Sequence, residues 1–478
     1  MKISTSRENI RFKNHLELNN NDRIIFSGIF GIGKTTFLNN FFQDNSSYEC
    51  FKINPINYSI SNSEDIIEYI KYDLIFELLS KNVDYKVENF PIELTSQFYI
   101  QENFVEVFST IAKYGGKIGK TISNIVLDLK KLKNDIESHN KEHSIDEKTE
   151  LIKFLKEINV KSGSIFEENH ITLLISNLIE SIKTTEKQSI LIIDDLDRLD
   201  PEHIFRILNV FACHFDIDNT NNKFNIDKII IVCDVENLRK IFSAKYGQQT
   251  DFSGYIDKFF SNEIFYYDSK KEISDNLTDI LRSIDNSGNN GNTFNLNVPD
   301  YNNIKLLIIN LKGLINCNAI NLRTLFRLSG KKYELTSYHF TISEAHQNRA
   351  SNKNFDLIMI FDFLSSIFGS KENLSQAINT LAKNRINKFV DSYEYYLFVP
   401  IVIFVDYKKH KLKPGKYEYS NSELDTVITY EIEKNGFSVA SKINSILSKE
   451  SGIQKDFFPY AEFLRIAFPL YQNLEIIN

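Results

Sequence analysis

Eight consecutive residues, Gly28-Ile29-Phe30-Gly31-Ile32-Gly33-Lys34-Thr35, constrain this chain more than any other feature. They fit G-x-x-x-x-G-K-[ST] at every fixed position. The run before them, Arg23 to Ser27 (RIIFS), is short and apolar, which predicts a strand. The run after them, Lys34 to Phe42 (KTTFLNNFF), sets Phe37, Leu38, Phe41 and Phe42 on one helical face. In that order, a backbone can curl its N–H groups around a phosphate and finish on a helix N-terminus, whose free amides and dipole favour an anion. Gly28 and Gly33 permit backbone angles and close approaches that a Cβ would block. Lys34 is then expected to reach the β- and γ-phosphates, and the Thr35 hydroxyl to face Mg²⁺. Ile29, Phe30, Gly31, Ile32 and Thr36 complete the expected binding set. The competing reading is a glycine turn that happens to precede Lys-Thr.

A second motif lies far downstream. Ile190 to Ile193 is a run of four aliphatics that ends in Asp194-Asp195-Leu196-Asp197-Arg198-Leu199-Asp200. A buried strand of this kind delivers its acids to the carboxyl edge of a sheet, where α/β folds bind ligands. Asp194 is the expected holder of Mg²⁺, and Asp195 the expected group to orient or polarise an attacking water. A cation beside such a carboxylate offsets the cost of burying it. The bland alternative is a solvated acidic turn in which Asp200-Pro201 starts the next helix.

The run that leads into these acids, Ser189 to Ile193, and a further one, Lys228 to Val232, show no alternation, as strands covered on both faces do. His203 to Phe211 between them reads as a helix. The expected fold class is therefore α/β, a parallel-sheet core with a large helical insertion and a mostly helical C-terminal region. Lys34 and Asp194 are 160 residues apart (194 minus 34), whereas one βαβ unit takes about 30 residues. The expected division places the core in 1–57 and 188–270 and a helical insertion in 58–187. A helical lid follows in 271–345 and a helical or mixed domain in 346–478.

Within the insertion, Phe104, Phe108, Ile111, Gly115, Ile118, Ile122, Ile125, Leu129, Leu132 and Ile136 alternate spacings of four and three, a heptad seam. Packed helices, a partner-binding coiled coil and a membrane-surface helix with Lys113, Lys117 and Lys120 all fit it. Asp285 to Asn297, rich in Asn, Gly and Ser, is the best linker candidate. Ile304 to Ile315 and Ala319 to Leu328 read as helical. The aromatic-rich stretch from about Phe355 resists parsing.

Composition narrows the rest. Of 478 residues, 42% are hydrophobic and 25% charged, which fits a folded chain. A net charge of −7 argues against non-specific coating of nucleic acid and leaves a local basic face open. The four cysteines are scattered and lack zinc-site spacing, which fits a reducing cytoplasm. No apolar leader opens the sequence and no long uncharged window is present, so no integral membrane span is expected. The longest apolar run, Tyr395 to Val405, contains Pro400 and reads as buried core. Adjacent Cys213 and His214 read as core, and the basic run Tyr407 to Tyr417 as a solvated loop or a contact for an acidic partner. No N-K-x-D element follows a strand, so adenine is favoured over guanine.

In this order GIFGIGKT, ILIIDDLDRLD, IIIVCDVENLRKIF and GYIDKFF resemble the KAP-type P-loop NTPases of the ASCE division, related to the STAND signalling ATPases. The resemblance covers about residues 8–335. It implies ATP as ligand with Mg²⁺ as cofactor, a long insertion between the two motifs, and a polar sensor at Asp234. The competing reading of Asp234 is an N-cap for Val235 to Phe242. The family's arginine motif falls on Asn321 to Arg327, with Leu322 in place of Pro, and makes Arg323 the expected second sensor of the γ-phosphate. Arg198 is open between pairing with its neighbouring acids and acting across a subunit interface. Insertions in the family often carry membrane helices, and none is read here. The resemblance further implies a bacterial, cytoplasmic switch or assembly ATPase acting as a homo-oligomer or with a separate effector, in a role such as defence against phage. A low-turnover nucleotide-gated scaffold and a DNA-processing ATPase are the alternatives.

Overall fold

The computed structural model describes residues 5–58, part of 70–78, 170–183, 187–212, 224–286, 294–341, 349–384, 388–389, 396–435 and 438–477. The expected heptad seam and Cys213-His214 lie outside the described residues. Chain contacts divide the protein into two compact units, Thr5–Asp268 and Ser269–Asn478.

The first unit opens with helix α1 (Ser6–Leu16). Strand β1 (Arg23–Ser27), helix α2 (Lys34–Asp44) and strand β2 (Tyr48–Ile53) follow. Helix α3 (His170–Lys183), β3 (Gln188–Ile193), α4 (Pro201–Ala212), β4 (Lys228–Cys233) and α5 (Val235–Tyr246) come next. A short α6 (Phe252–Ile256) and β5 (Phe265–Tyr266) complete it. The five strands form one sheet in the order β2-β3-β4-β1-β5. Every pairing is parallel. Strand β4 therefore separates the strand before the glycine loop from the acidic strand.

Alternation along the strands explains why the apolar runs are continuous. Ile24, Phe26, Ile190, Ile192, Ile230 and Val232 share one core with Phe12 of α1 and Phe37, Leu38 and Phe41 of α2. Ile25, Leu191, Ile193, Ile229 and Ile231 share the other with Ile175 and Ile179 of α3, Leu208 of α4 and Leu238 of α5. Both faces bury apolar side chains, so neither parity can be polar. On the first face Phe12 meets Phe26, Phe41 and Phe265 with ring centroids 5.2, 4.9 and 5.2 Å apart, edge-on.

The second unit opens with α7 (Lys270–Asp275) and α8 (Leu277–Arg282). Then come α9 (Asn302–Asn316), α10 (Leu322–Phe326), β6 (His339–Thr341) and β7 (Arg349–Ser351). Helices α11 (Asp356–Phe368) and α12 (Lys371–Lys383), strand β8 (Lys388–Phe389) and helices α13 (Val399–Val405) and α14 (Tyr407–His410) follow. Strands β9 (Gly415–Asn421), β10 (Thr426–Asn435), β11 (Ser438–Leu447) and β12 (Phe457–Phe458), helix α15 (Tyr460–Gln472) and β13 (Ile476–Ile477) end it. Strands β9, β10 and β11 form an antiparallel sheet.

Four expectations change here. Of the linker candidate Asp285 to Asn297, 287–293 lie outside the described residues, and Phe294 and Leu296 are fully buried in the same core as Ile280 and Leu281, not solvated as a linker would be. The division at 345/346 does not interrupt that core, which runs from Ile273 to Tyr471; β6 pairs with both β7 and β13, joining the two segments. Ala319 to Leu328 is helical only over Leu322–Phe326, where Asn321 caps the start by accepting from Thr324 N at 2.9 Å. The basic run is no plain loop. Its Tyr407 and His410 are buried, and residues from Gly415 enter β9. Of the run Tyr395 to Val405, Leu397, Phe398, Val399 and Ile401 to Phe404 are buried as expected, whereas Tyr396 is exposed; Pro400 lies in the first turn of α13, where the N–H it lacks would have no partner in the helix.

Candidate functional site

The glycine loop leaves β1 and enters α2. Gly31 and Gly33 have φ of 78° and 100°, a region open to glycine and strained for most other residues. A Cβ on Gly28 would lie 3.0 Å from the Tyr267 carbonyl oxygen and 3.3 Å from Lys34 Cδ, so the close approach of backbone needs the missing side chain. Gly33 supplies no side-chain cap, which leaves the first amides of α2 suited to an anion. Ile32, 3% exposed, pins the loop into the core shared with Phe26 and Phe37. The Lys34 ammonium lies inside the loop and donates to the Gly28 carbonyl at 2.5 Å and to that of Ile29 at 3.4 Å. Thr36 is exposed one residue further on.

The acidic strand end meets this loop. Asp194, 2% exposed, accepts from Thr35 Oγ1 at 2.7 Å through Oδ2 and from the Asp195 amide at 2.9 Å through Oδ1. Its backbone N–H donates to Ile53 at 3.1 Å, extending the ladder between β2 and β3. Lys52 Nζ lies 2.8 Å from the same Oδ2. A hydroxyl, an amide and an ammonium together make this buried carboxylate affordable. The sequence reading missed Lys52. The signal was a lone cation near the end of YECFKI, on the parity of Tyr48 and Cys50, both of which pack against the α2-side core.

Asp195 turns the chain. It adopts φ 53° and ψ 37°, the left-handed region that Asp tolerates better than most side chains. Its carboxylate lies 3.3 Å from Arg198 Nη1, and the Arg198 guanidinium stacks over the Phe30 ring at 4.3 Å. Arg198 therefore pairs with a neighbouring acid and also touches the exposed tip of the glycine loop. Burial, then the charge of Asp194, raises the Asp195 carboxyl above its ordinary value, while Arg198 and Lys34 pull it back.

The end of β4 adds structure more than chemistry. Asp234 Oδ1 accepts from Glu236 N at 3.0 Å and Asn237 N at 3.4 Å, the N-cap arrangement for α5. Asn237 reaches back to donate to Asp197 Oδ2 at 3.1 Å, tying α5 to the turn after β3. Asp200 accepts from Glu202 N at 2.9 Å and starts α4, with Pro201 in its first turn. Arg323 is exposed on α10, in the second unit, and is not among the residues that the first unit gathers.

The residues present fit a nucleotide triphosphate and Mg²⁺. The loop offers amides and an ammonium, and Thr35 and Asp194 converge on one point. Among the described residues no group of three or more His, Cys, Asp or Glu could hold a metal. A cation held by one hydroxyl and one carboxylate, with phosphate and water completing its shell, is the habit of Mg²⁺. A model of the KAP family P-loop domain matches residues 15–329, more than half of the chain. The protein belongs to the KAP P-loop NTPases. This KAP protein is thus a nucleotide-binding NTPase by family, and its motifs meet at the carboxyl edge of the family's α/β core. No curated protein shows significant similarity to it. Among the described residues of this KAP chain no helix is long and apolar enough to cross a membrane.

Proposed function

We propose that the chain binds ATP with Mg²⁺, hydrolyses it, and uses the nucleotide state to switch conformation or assembly. The observation that carries this reading is the 2.7 Å hydrogen bond between Thr35 and Asp194, which joins the two motifs across 159 residues of chain. The loop amides and Lys34 bind the phosphates and orient them toward the acidic strand end. Thr35 and Asp194 would hold Mg²⁺, which would supply positive charge to offset that of the phosphates. Asp195 orients the attacking water and takes its proton, and Arg198 fixes the Asp195 carboxylate in place. Arg323 is the proposed second sensor of the γ-phosphate, a role that rests on the family's arginine motif alone. The missing N-K-x-D element supports adenine over guanine.

A low-turnover reading has one observation in its favour. Arg198 engages the carboxylate that would take the proton of the water, and a guanidinium beside that acid weakens it as a base, which suits a protein that cleaves its nucleotide slowly. Assembly as a homo-oligomer or with an effector, and a role in defence against phage, belong to the same proposal and rest on the family alone. Steady-state phosphate release and equilibrium nucleotide binding test the core of it. Lys34→Ala is expected to lose both, and Asp195→Asn to keep binding and lose turnover. Undiminished phosphate release by Asp195→Asn would remove the role given to that carboxylate.

A further inference from the structure

Asp194 has a partner that the P-loop chemistry does not use. The oxygen that accepts from Thr35 also lies 2.8 Å from the Lys52 ammonium. The parallel register pairs Lys52 with Ile192, so Asp194, two residues along, faces the same side of the sheet. The Lys52 side chain keeps 25% exposure, whereas that of Asp194 keeps 3%. The acid is shut in while the cation, on its flexible four-carbon stem, has a route to water. One carboxylate oxygen thus serves a hydroxyl and an ammonium, and a divalent ion arriving there meets a like charge at contact distance.

We propose that Lys52 is a built-in counter-cation that holds Asp194 in the metal-free protein and yields the carboxylate to Mg²⁺ by withdrawing toward solvent. This rests on the reading of Asp194 as the metal holder. Lys52 then sets the Mg²⁺ concentration at which the site loads. It also keeps the buried acidic edge compensated when no nucleotide is bound.

The test uses the full chain and a fluorescent ADP analogue, whose binding is titrated with Mg²⁺. ADP carries no γ-phosphate for Lys52 to touch, and no hydrolysis enters the readout. Lys52→Met is expected to lower the half-saturating Mg²⁺ about tenfold, equivalent to about 1.4 kcal/mol. Lys52→Arg keeps the charge and is expected to stay near wild type. Circular dichroism melts establish folding, and Lys52→Gln replaces the Met variant if that one does not fold. A half-saturation in the neutral variant equal to or above wild type overturns the proposal while leaving the Asp194 reading intact. Wild-type binding that is indifferent to Mg²⁺ overturns both, because Asp194 would then hold no metal.

Discussion

Each unit of the protein desolvates a carboxylate, and the two are satisfied by opposite means. Asp194 in the first unit is held by an ammonium, a hydroxyl and an amide. Asp362 in the second accepts from Tyr471 Oη at 2.7 Å, from Tyr338 Oη at 3.2 and 3.3 Å, and from Asn352 Nδ2 at 3.3 Å. These donors are all neutral. The Lys371 ammonium nearby lies over the Tyr471 ring at 4.5 Å. Burial raises the Asp362 carboxyl above its ordinary value, with the three hydrogen bonds and Lys371 opposing. A charged donor on a flexible stem can leave with its own hydration shell. Three neutral donors fixed on α15, on the turn before α11 and on the chain before β6 cannot leave without becoming orphans. The first arrangement suits exchange with a ligand, and the second suits a lock.

Removing each acid is the strongest way to break this contrast. Asp194→Asn is expected to lower phosphate release by at least about a hundredfold, the scale of losing one preorganised electrostatic contact. Its melting temperature is expected to change little beside that loss, since the Asn oxygen still accepts from the Asp195 amide, the Thr35 hydroxyl can turn to accept from the new amide group, and the Lys52 ammonium, on a side chain 25% exposed, can turn to water. Asp362→Ala is expected to do the reverse to the fold. It strands two hydroxyls and an amide and is expected to cost about 3 kcal/mol in urea unfolding. If Asp362→Ala unfolded like wild type, the lock would be no lock.

The sequence announces the first arrangement far better than the second. Strands β1, β3 and β4 are legible because both of their parities are buried, and the loop is legible because only glycine fits its angles. Strand β2 hides because YECFKI mixes charges into an edge position. Helix α1 hides because Phe12 and Leu16 are its only large core side chains in a polar sequence. In the second unit the period-two signal of β10 was present, with Ile428, Tyr430 and Ile432 buried on alternate positions. Its β-branched residues are interleaved with charges, and nothing local says which segment pairs with it. Asp362 joins donors 10, 24 and 109 residues away, and no spacing rule reaches that far.

The pH response sharpens the contrast at smaller amplitude. Because the folded Asp362 carboxyl titrates above its unfolded value of about 3.9, folding favours the neutral acid. The stability it contributes is present below that value and is lost as pH rises through the folded pKa. Urea unfolding followed upward from about pH 4 should show the loss with a slope of at most about 1.4 kcal/mol per pH unit. Asp362→Asn should remove that component of the slope. An identical slope in the variant would assign the titration to another group.

The smallest expected effect separates the two tyrosines. Tyr471 approaches Asp362 at 2.7 Å and Tyr338 only at 3.2 and 3.3 Å, the latter shared between both oxygens. A shorter hydrogen bond to an acceptor of the same charge is the stronger one. Tyr471→Phe should therefore cost about 1 kcal/mol and Tyr338→Phe less, with the ring packing kept in both. The two donors share one acceptor, so their losses should not add. With Tyr471 gone, Asp362 leans on Tyr338 and Asn352, and the second deletion costs more than it does alone. Urea unfolding of the two single variants and the double variant measures this coupling directly. Strictly additive losses would mean that the hydroxyls act independently, and that the acid between them is a bystander to the packing of α11 and α15.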